Sequence, residues 1–199
     1  MFNARILREK ISLVALRLRA PHTHSVERDQ LIRRRISGVK GSANYLILGD
    51  SNALNVEWRA ARGAQPVNAS FSGGTVSTFL YAGRGPTYLR LCRPLATVIA
   101  LGVNDARSLG VGEFVAVYEK LIDALSGPII VCGIPLVELV PNAAEFNAAL
   151  RDMTARRSLA FVEPAAHLGA VDGLHLATQA YPAWIAAVED ALSRTVPWK

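Results

Sequence analysis

From residue 44 onward the sequence predicts a three-layer α/β/α domain built on a five-stranded parallel sheet. Three observations carry that expectation. Five short apolar runs, at 45–48, 66–69, 97–101, 129–132 and 159–162, have the length and composition of buried strands. Helix-like stretches at 53–62, 76–93, 112–125, 143–157 and 177–194 alternate with them, as crossovers between parallel strands require. The chain of 199 residues, 51% hydrophobic and 19% charged, is long enough for one sizeable core and short for two.

Residues 1–40 read differently. They hold ten Lys or Arg against Glu9, Glu27 and Asp29, a net +7, whereas residues 41–199 sum to −1. The overall +6 therefore belongs to a basic, helical N-terminal extension over 1–40, and the main domain over 41–199 is close to neutral. Within the extension, Leu7, Ile11, Val14 and Leu18 share one face of a helix over 4–19, with Arg5, Arg8 and Arg19 opposite. Such a helix can pack on its own domain or on a twin subunit, and it can also lie on an anionic membrane as a peripheral contact. Its apolar run is short and Arg17 follows, so a secretory signal is not expected and the default compartment is the cytoplasm. Pro21 ends the helix, and His22 and His24 in the linker lack the further ligands a metal site needs. Arg33, Arg34 and Arg35 form a solvated face without interleaved aromatics, so no nucleic-acid partner is expected. Cys92 and Cys132 are the only cysteines, too few for a disulfide framework.

In the main domain each strand ends in a segment able to do chemistry. The first run closes on Gly49 and is followed by Asp50, Ser51 and Asn52, so a helix starting at Asn52 would put Ser51 at its N-terminus. The second leads into Asn68-Ala69-Ser70-Phe71-Ser72-Gly73-Gly74, whose small residues allow close backbone approach. The third ends in Gly102-Val103-Asn104-Asp105. After the fifth, Asp172 precedes His175 by three residues. In parallel α/β sheets the site lies at the carboxyl ends of the strands.

These four blocks, in this order and spacing, resemble the motifs of the SGNH (GDSL-type) hydrolases over roughly residues 44–195. The resemblance implies a flavodoxin-like SGNH fold and a serine esterase needing no metal or other cofactor. Ser51 would be the nucleophile, His175 the base and Asp172 its orienting acid. The oxyanion donors would be the backbone N–H groups of Ser51 and Gly73 and the side-chain amide of Asn104. Ser51 could instead cap the helix, Gly74 could take the place of Gly73, and Asn104 could be a loop-capping amide. Asp50 and Asp105 read as structural acids, and His167 as a rival base without an acid three residues before it.

The sequence departs from the family where Leu usually follows the serine. Asn52 stands there and, with Arg107 after the third block, is a candidate substrate contact. The Gly-x-Ser-x-Gly elbow of the α/β-hydrolases is absent. Short connections leave little room for a lid and favour an open cleft and a small acyl group; an O-acetyl group on a carbohydrate is one candidate, a short-chain lipid or thioester another. The competing expectation is a non-catalytic module of the same fold working through its basic arm. Substrate and oligomeric state have no signature in the sequence.

Overall fold

The computed structural model describes residues 26–39, 43–164 and 170–196. The 4–19 helix, the 21–25 linker with its histidines, and His167 lie outside the described residues. Five strands form one all-parallel sheet: β1 (Asn44–Gly49), β2 (Gln65–Asn68), β3 (Thr97–Ala100), β4 (Ile129–Cys132) and β5 (Ala160–Val162). Their order is β2-β1-β3-β4-β5, so the sheet grows outward in both directions from the β1/β3 pair. Leu46 faces Val67 on one side and Thr97 on the other, and Gly49 faces Ala100. Helices flank the sheet and give the three-layer α/β/α architecture expected. Every residue of β1, β3 and β4 is buried, which is why these strands read as unbroken apolar runs without alternation.

Helix α1 (Val26–Gly38) precedes β1, and its Ile32 and Ile36 join the same core as the sheet. Arg33 pairs with Asp29 across one turn at 2.6 Å, and Arg34 and Arg35 are exposed. The stretch expected as a helix over 53–62 is a single turn, α2 (Ser51–Leu54). It stops where its carbonyls are taken by side chains from outside the turn. Trp58 Nε1 donates to Ala53 O at 2.9 Å, and Asn68 Nδ2 donates to the same oxygen at 3.1 Å. The 76–93 stretch breaks where Gly83 adopts φ +65°, giving α3 (Val76–Tyr81) and α4 (Arg84–Cys92). A one-turn helix α5 (Val103–Ala106) stands where a loop was expected after β3. Then follow α6 (Val111–Asp123), α7 (Ala143–Arg156) and α8 (Tyr181–Thr195).

Aromatic pairs tie the helices down. Phe114 on α6 meets Phe146 on α7 edge to face at 5.1 Å, and Trp184 on α8 meets Trp58 at 5.5 Å. Buried Asn147 on α7 holds both polar groups of Ile134 just past β4, accepting from its N–H at 2.7 Å and donating to its carbonyl at 2.8 Å. Glu163 after β5 forms a two-bond pair with Arg151 on α7. No helix among the described residues is long and apolar enough to cross a membrane.

Candidate active site

Strand order reverses between β1 and β3, and a crevice opens at such a switch point beyond the carboxyl ends. Ser51 follows β1 and Asn104 follows β3, so both stand at its mouth. The turn into Ser51 is fixed by packing. A Cβ on Gly49 would collide with the Ala53 side chain and Ser70 Oγ, so only glycine fits. Asp50 caps α2, its Oδ1 accepting the Asn52 N–H at 2.9 Å, and Ser51 is the first helical residue. The capping function that Ser51 could have had is filled by its neighbour. With one turn, α2 sums little dipole, so a developing anion here would depend on individual N–H groups.

The structure brings Ser51, His175 and Asp172 together across 124 residues of chain. His175 Nε2 lies 2.9 Å from Ser51 Oγ, and His175 Nδ1 lies 2.6 Å from Asp172 Oδ2. An ionised carboxylate can only accept, so Nδ1 carries the proton and Nε2 is left to accept from the Ser51 hydroxyl. Asp172 Oδ1 also accepts the backbone N–H groups of Leu174 at 3.0 Å and His175 at 2.8 Å. These bonds, led by the His175 side chain, hold the Asp172 carboxyl down at about 2. It therefore stays charged at any ordinary pH. The loop is pinned from outside by the Leu139 N–H, which donates to Gly173 O at 2.8 Å.

Gly73 and Gly74 have separate reasons to be glycine. Gly73 takes φ +72°, a left-handed conformation. A Cβ on Gly74 would sit 2.8 Å from Gly49 O and 3.3 Å from Asp50 Cα, so this loop lies directly against the turn before Ser51. The Gly74 N–H is committed to Phe71 O at 3.1 Å. Asn104 Nδ2 donates to Gly74 O at 3.0 Å, which ties the third block to the second. An amide nitrogen has two protons, so this bond leaves one for another acceptor.

Beneath these residues lie two buried carboxyls. Asp105 accepts the Val76 N–H through both oxygens, at 3.1 and 3.2 Å. Burial raises Asp50 to about 6 and Asp105 to about 7, with the Asp50 charge adding to the rise of Asp105. Both hold backbone at the strand ends.

Asn52 is placed where the sequence did not suggest. It is 1% exposed, and its amide bonds the His175 loop: Oδ1 accepts the Leu176 N–H at 2.8 Å and Nδ2 donates to Leu174 O at 3.4 Å. Its polar atoms are spent on protein, which leaves little for a substrate. Arg107 is exposed at the end of α5. Sequence reasoning did not find the cavity of about 620 Å³ beside the Asp172–His175 pair. Asn55, Glu57 and Arg59 line one part of it, and Tyr181, Pro182 and Ile185 another. The first three fall in the stretch expected as helix, so nothing marked them. Among the described residues no cluster of three or more His, Cys, Asp or Glu could hold a metal ion.

No family model and no curated protein matches the sequence. Solved structures do match. A lipase/acylhydrolase from Enterococcus faecalis is 18% identical at a TM-score of 0.65, over 78% of this chain and 99% of that one. A GDSL-like lipase from Bacteroides thetaiotaomicron is 15% identical at 0.69, over 83% and 97%. The psychrotrophic esterase EstA from Pseudoalteromonas, in a structure inhibited by monoethylphosphonate, is 20% identical at 0.59, over 76% and 97%. The fold is that of the SGNH/GDSL hydrolases.

Proposed function

We propose that this chain is a serine hydrolase that cleaves a carboxylic ester through an acyl-enzyme intermediate. The observation that carries the reading is the unbroken Ser51–His175–Asp172 hydrogen-bond chain, at 2.9 and 2.6 Å. Its standing at the switch point of a sheet shared with esterases and acylhydrolases supports it.

As Ser51 Oγ bonds to the ester carbonyl carbon, its proton passes to His175 Nε2. Asp172, charged and bonded to Nδ1, holds the ring in the correct tautomer and stabilises the imidazolium. The carbonyl oxygen becomes an oxyanion, received by the N–H groups of Ser51 and Gly73 and the spare Asn104 amide proton. Each such donor contributes about 3 kcal/mol to transition-state stabilisation. The C–O bond to the alcohol then breaks as His175 returns the proton to the leaving oxygen. Water, deprotonated by the same imidazole, releases the acid and restores Ser51.

Because the leaving oxygen must meet His175, the alcohol lies on the His175 side, where the cavity opens. Its lining, which includes Tyr181, Pro182 and Ile185 as well as Asn55, Glu57 and Arg59, suits an alcohol with an apolar face and polar edges, as in an acylated carbohydrate. A small acyl group then sits at the oxyanion side.

Turnover of p-nitrophenyl acetate by the wild type and by Ser51→Ala tests the assignment. The variant should lose at least about a thousandfold in kcat. Equal activity in the two sinks it. A fluorophosphonate probe should label Ser51 on folded protein, and failure to label would favour a non-catalytic module.

A further inference from the structure

Asn52 follows the nucleophile directly, and its side chain reaches the residues on both sides of His175. The Leu176 N–H donates to Oδ1 at 2.8 Å, Nδ2 donates to Leu174 O at 3.4 Å, and the whole residue is 1% exposed. Its own backbone N–H is held by Asp50 Oδ1 at 2.9 Å. We infer that Asn52 is a positioning residue, a brace that sets the distance between His175 Nε2 and Ser51 Oγ. The inference rests on the hydrolytic reading of Ser51, His175 and Asp172.

The bonds inside the loop do a different job. Asp172 accepts from Leu174 N–H, His175 N–H and the His175 ring, and the Val171 N–H donates to His175 O at 2.9 Å. These fix the loop's own shape. They do not say how far that shape stands from the Ser51 turn, because all their partners lie within the loop. The Leu139 bond to Gly173 anchors the loop to the segment after β4, on the other side of the sheet from β2. The Asn52 amide is the link from the nucleophile turn itself. It places the base by a path that runs through one side chain, so a shift of the turn carries the loop with it. Leucine at this position has the same branching and number of side-chain heavy atoms, is bulkier, and offers neither acceptor nor donor. The Leu176 N–H would then be left buried without its partner.

The test compares wild type with Asn52→Leu, Asn52→Ala, Asn52→Asp and Ser51→Ala on p-nitrophenyl acetate, well below the melting transition. Asn52→Leu and Asn52→Ala should lose about tenfold to a hundredfold in kcat, since a displacement near 1 Å costs that much. KM should stay within about twofold. Asn52→Asp, which keeps the acceptor for Leu176 and loses the donor to Leu174, should fall between. On ¹⁵N-histidine-labelled protein, the His175 Nε2 signal of Asn52→Leu should move toward its value in Ser51→Ala. The Nδ1–H signal should persist, because the bond to Asp172 is local.

A residue that only stabilises the fold would lower the melting temperature and leave kcat and the Nε2 signal at wild-type values. That result overturns the inference. Should Asn52→Leu fail to fold, the size-matched Asn52→Asp decides on the same two readouts. Should Ser51→Ala prove as active as wild type, the hydrolytic reading fails. The Nε2 signal then decides alone whether Asn52 holds His175 against Ser51.

Discussion

The strand-end turns and the loop that faces them both depend on aspartates, and treat them in opposite ways. Asp50 and Asp105 in the turns are 2% and 1% exposed, and burial drives them up to about 6 and about 7. The Asp172 side chain in the loop is 54% exposed, and hydrogen bonds bring it down to about 2. The acid whose charge the proposed mechanism needs stands in solvent, where ionisation carries little desolvation cost. The two that hold backbone in place are the ones that burial pushes toward neutrality.

The sharpest way to break this contrast is Asp172→Asn. It keeps the shape but loses the charge, so kcat should fall about 10³–10⁴-fold, with a loss of stability smaller than that of Asp105→Ala. A loss of only a few-fold would mean that the exposed acid does not orient the base. Asp105→Ala should act the other way round. Stripping the acceptor from the buried Val76 N–H should lower unfolding free energy in urea by about 1–3 kcal/mol. A stability loss no larger than that of Asp172→Ala would erase the distinction.

The pH dependence separates the two classes by sign. With folded values of about 6 and about 7, Asp50 and Asp105 keep protons that the unfolded chain releases near pH 4. Stability should therefore fall as pH rises from about 4 to about 7. Asp105→Asn should flatten that fall, by on the order of 1 kcal/mol, in melting curves taken between pH 4.5 and 8. Asp172 contributes stability above the ordinary carboxylate value, and loses it as pH drops through about 2. The smallest effect is expected at the exposed cavity rim. Thr178→Trp should lower kcat/KM for esters of bulky alcohols about threefold to tenfold relative to methyl esters, with stability unchanged.

Strands and the positions of Ser51, Asp172 and His175 were legible because each depends on local pattern: an apolar run closed by small residues, or an acid three residues before a histidine. What escaped depends on partners far away in sequence. The 53–62 stretch has helix-forming residues, yet α2 ends after one turn where Trp58 and Asn68 take its carbonyls. Asn68 lies 14 residues beyond Leu54, on a strand, and nothing near the helix announces it. Asn52 was visible as a departure from the usual leucine, but its partners lie 122 and 124 residues away, so it read as a pocket residue. The α5 turn was hidden in a motif of mixed propensity.

Both cysteines are buried, Cys92 at 7% and Cys132 at 1% exposure, and burial pushes their thiols up to about 11 and about 12. A maleimide reacts with accessible thiolate, and the folded protein presents little of it. One cysteine introduced on the surface, at Val171 for instance, would therefore take a fluorophore against a nearly silent background. Val171 lines the cavity beside His175 and is 77% exposed, so such a dye would report occupancy of that cavity directly.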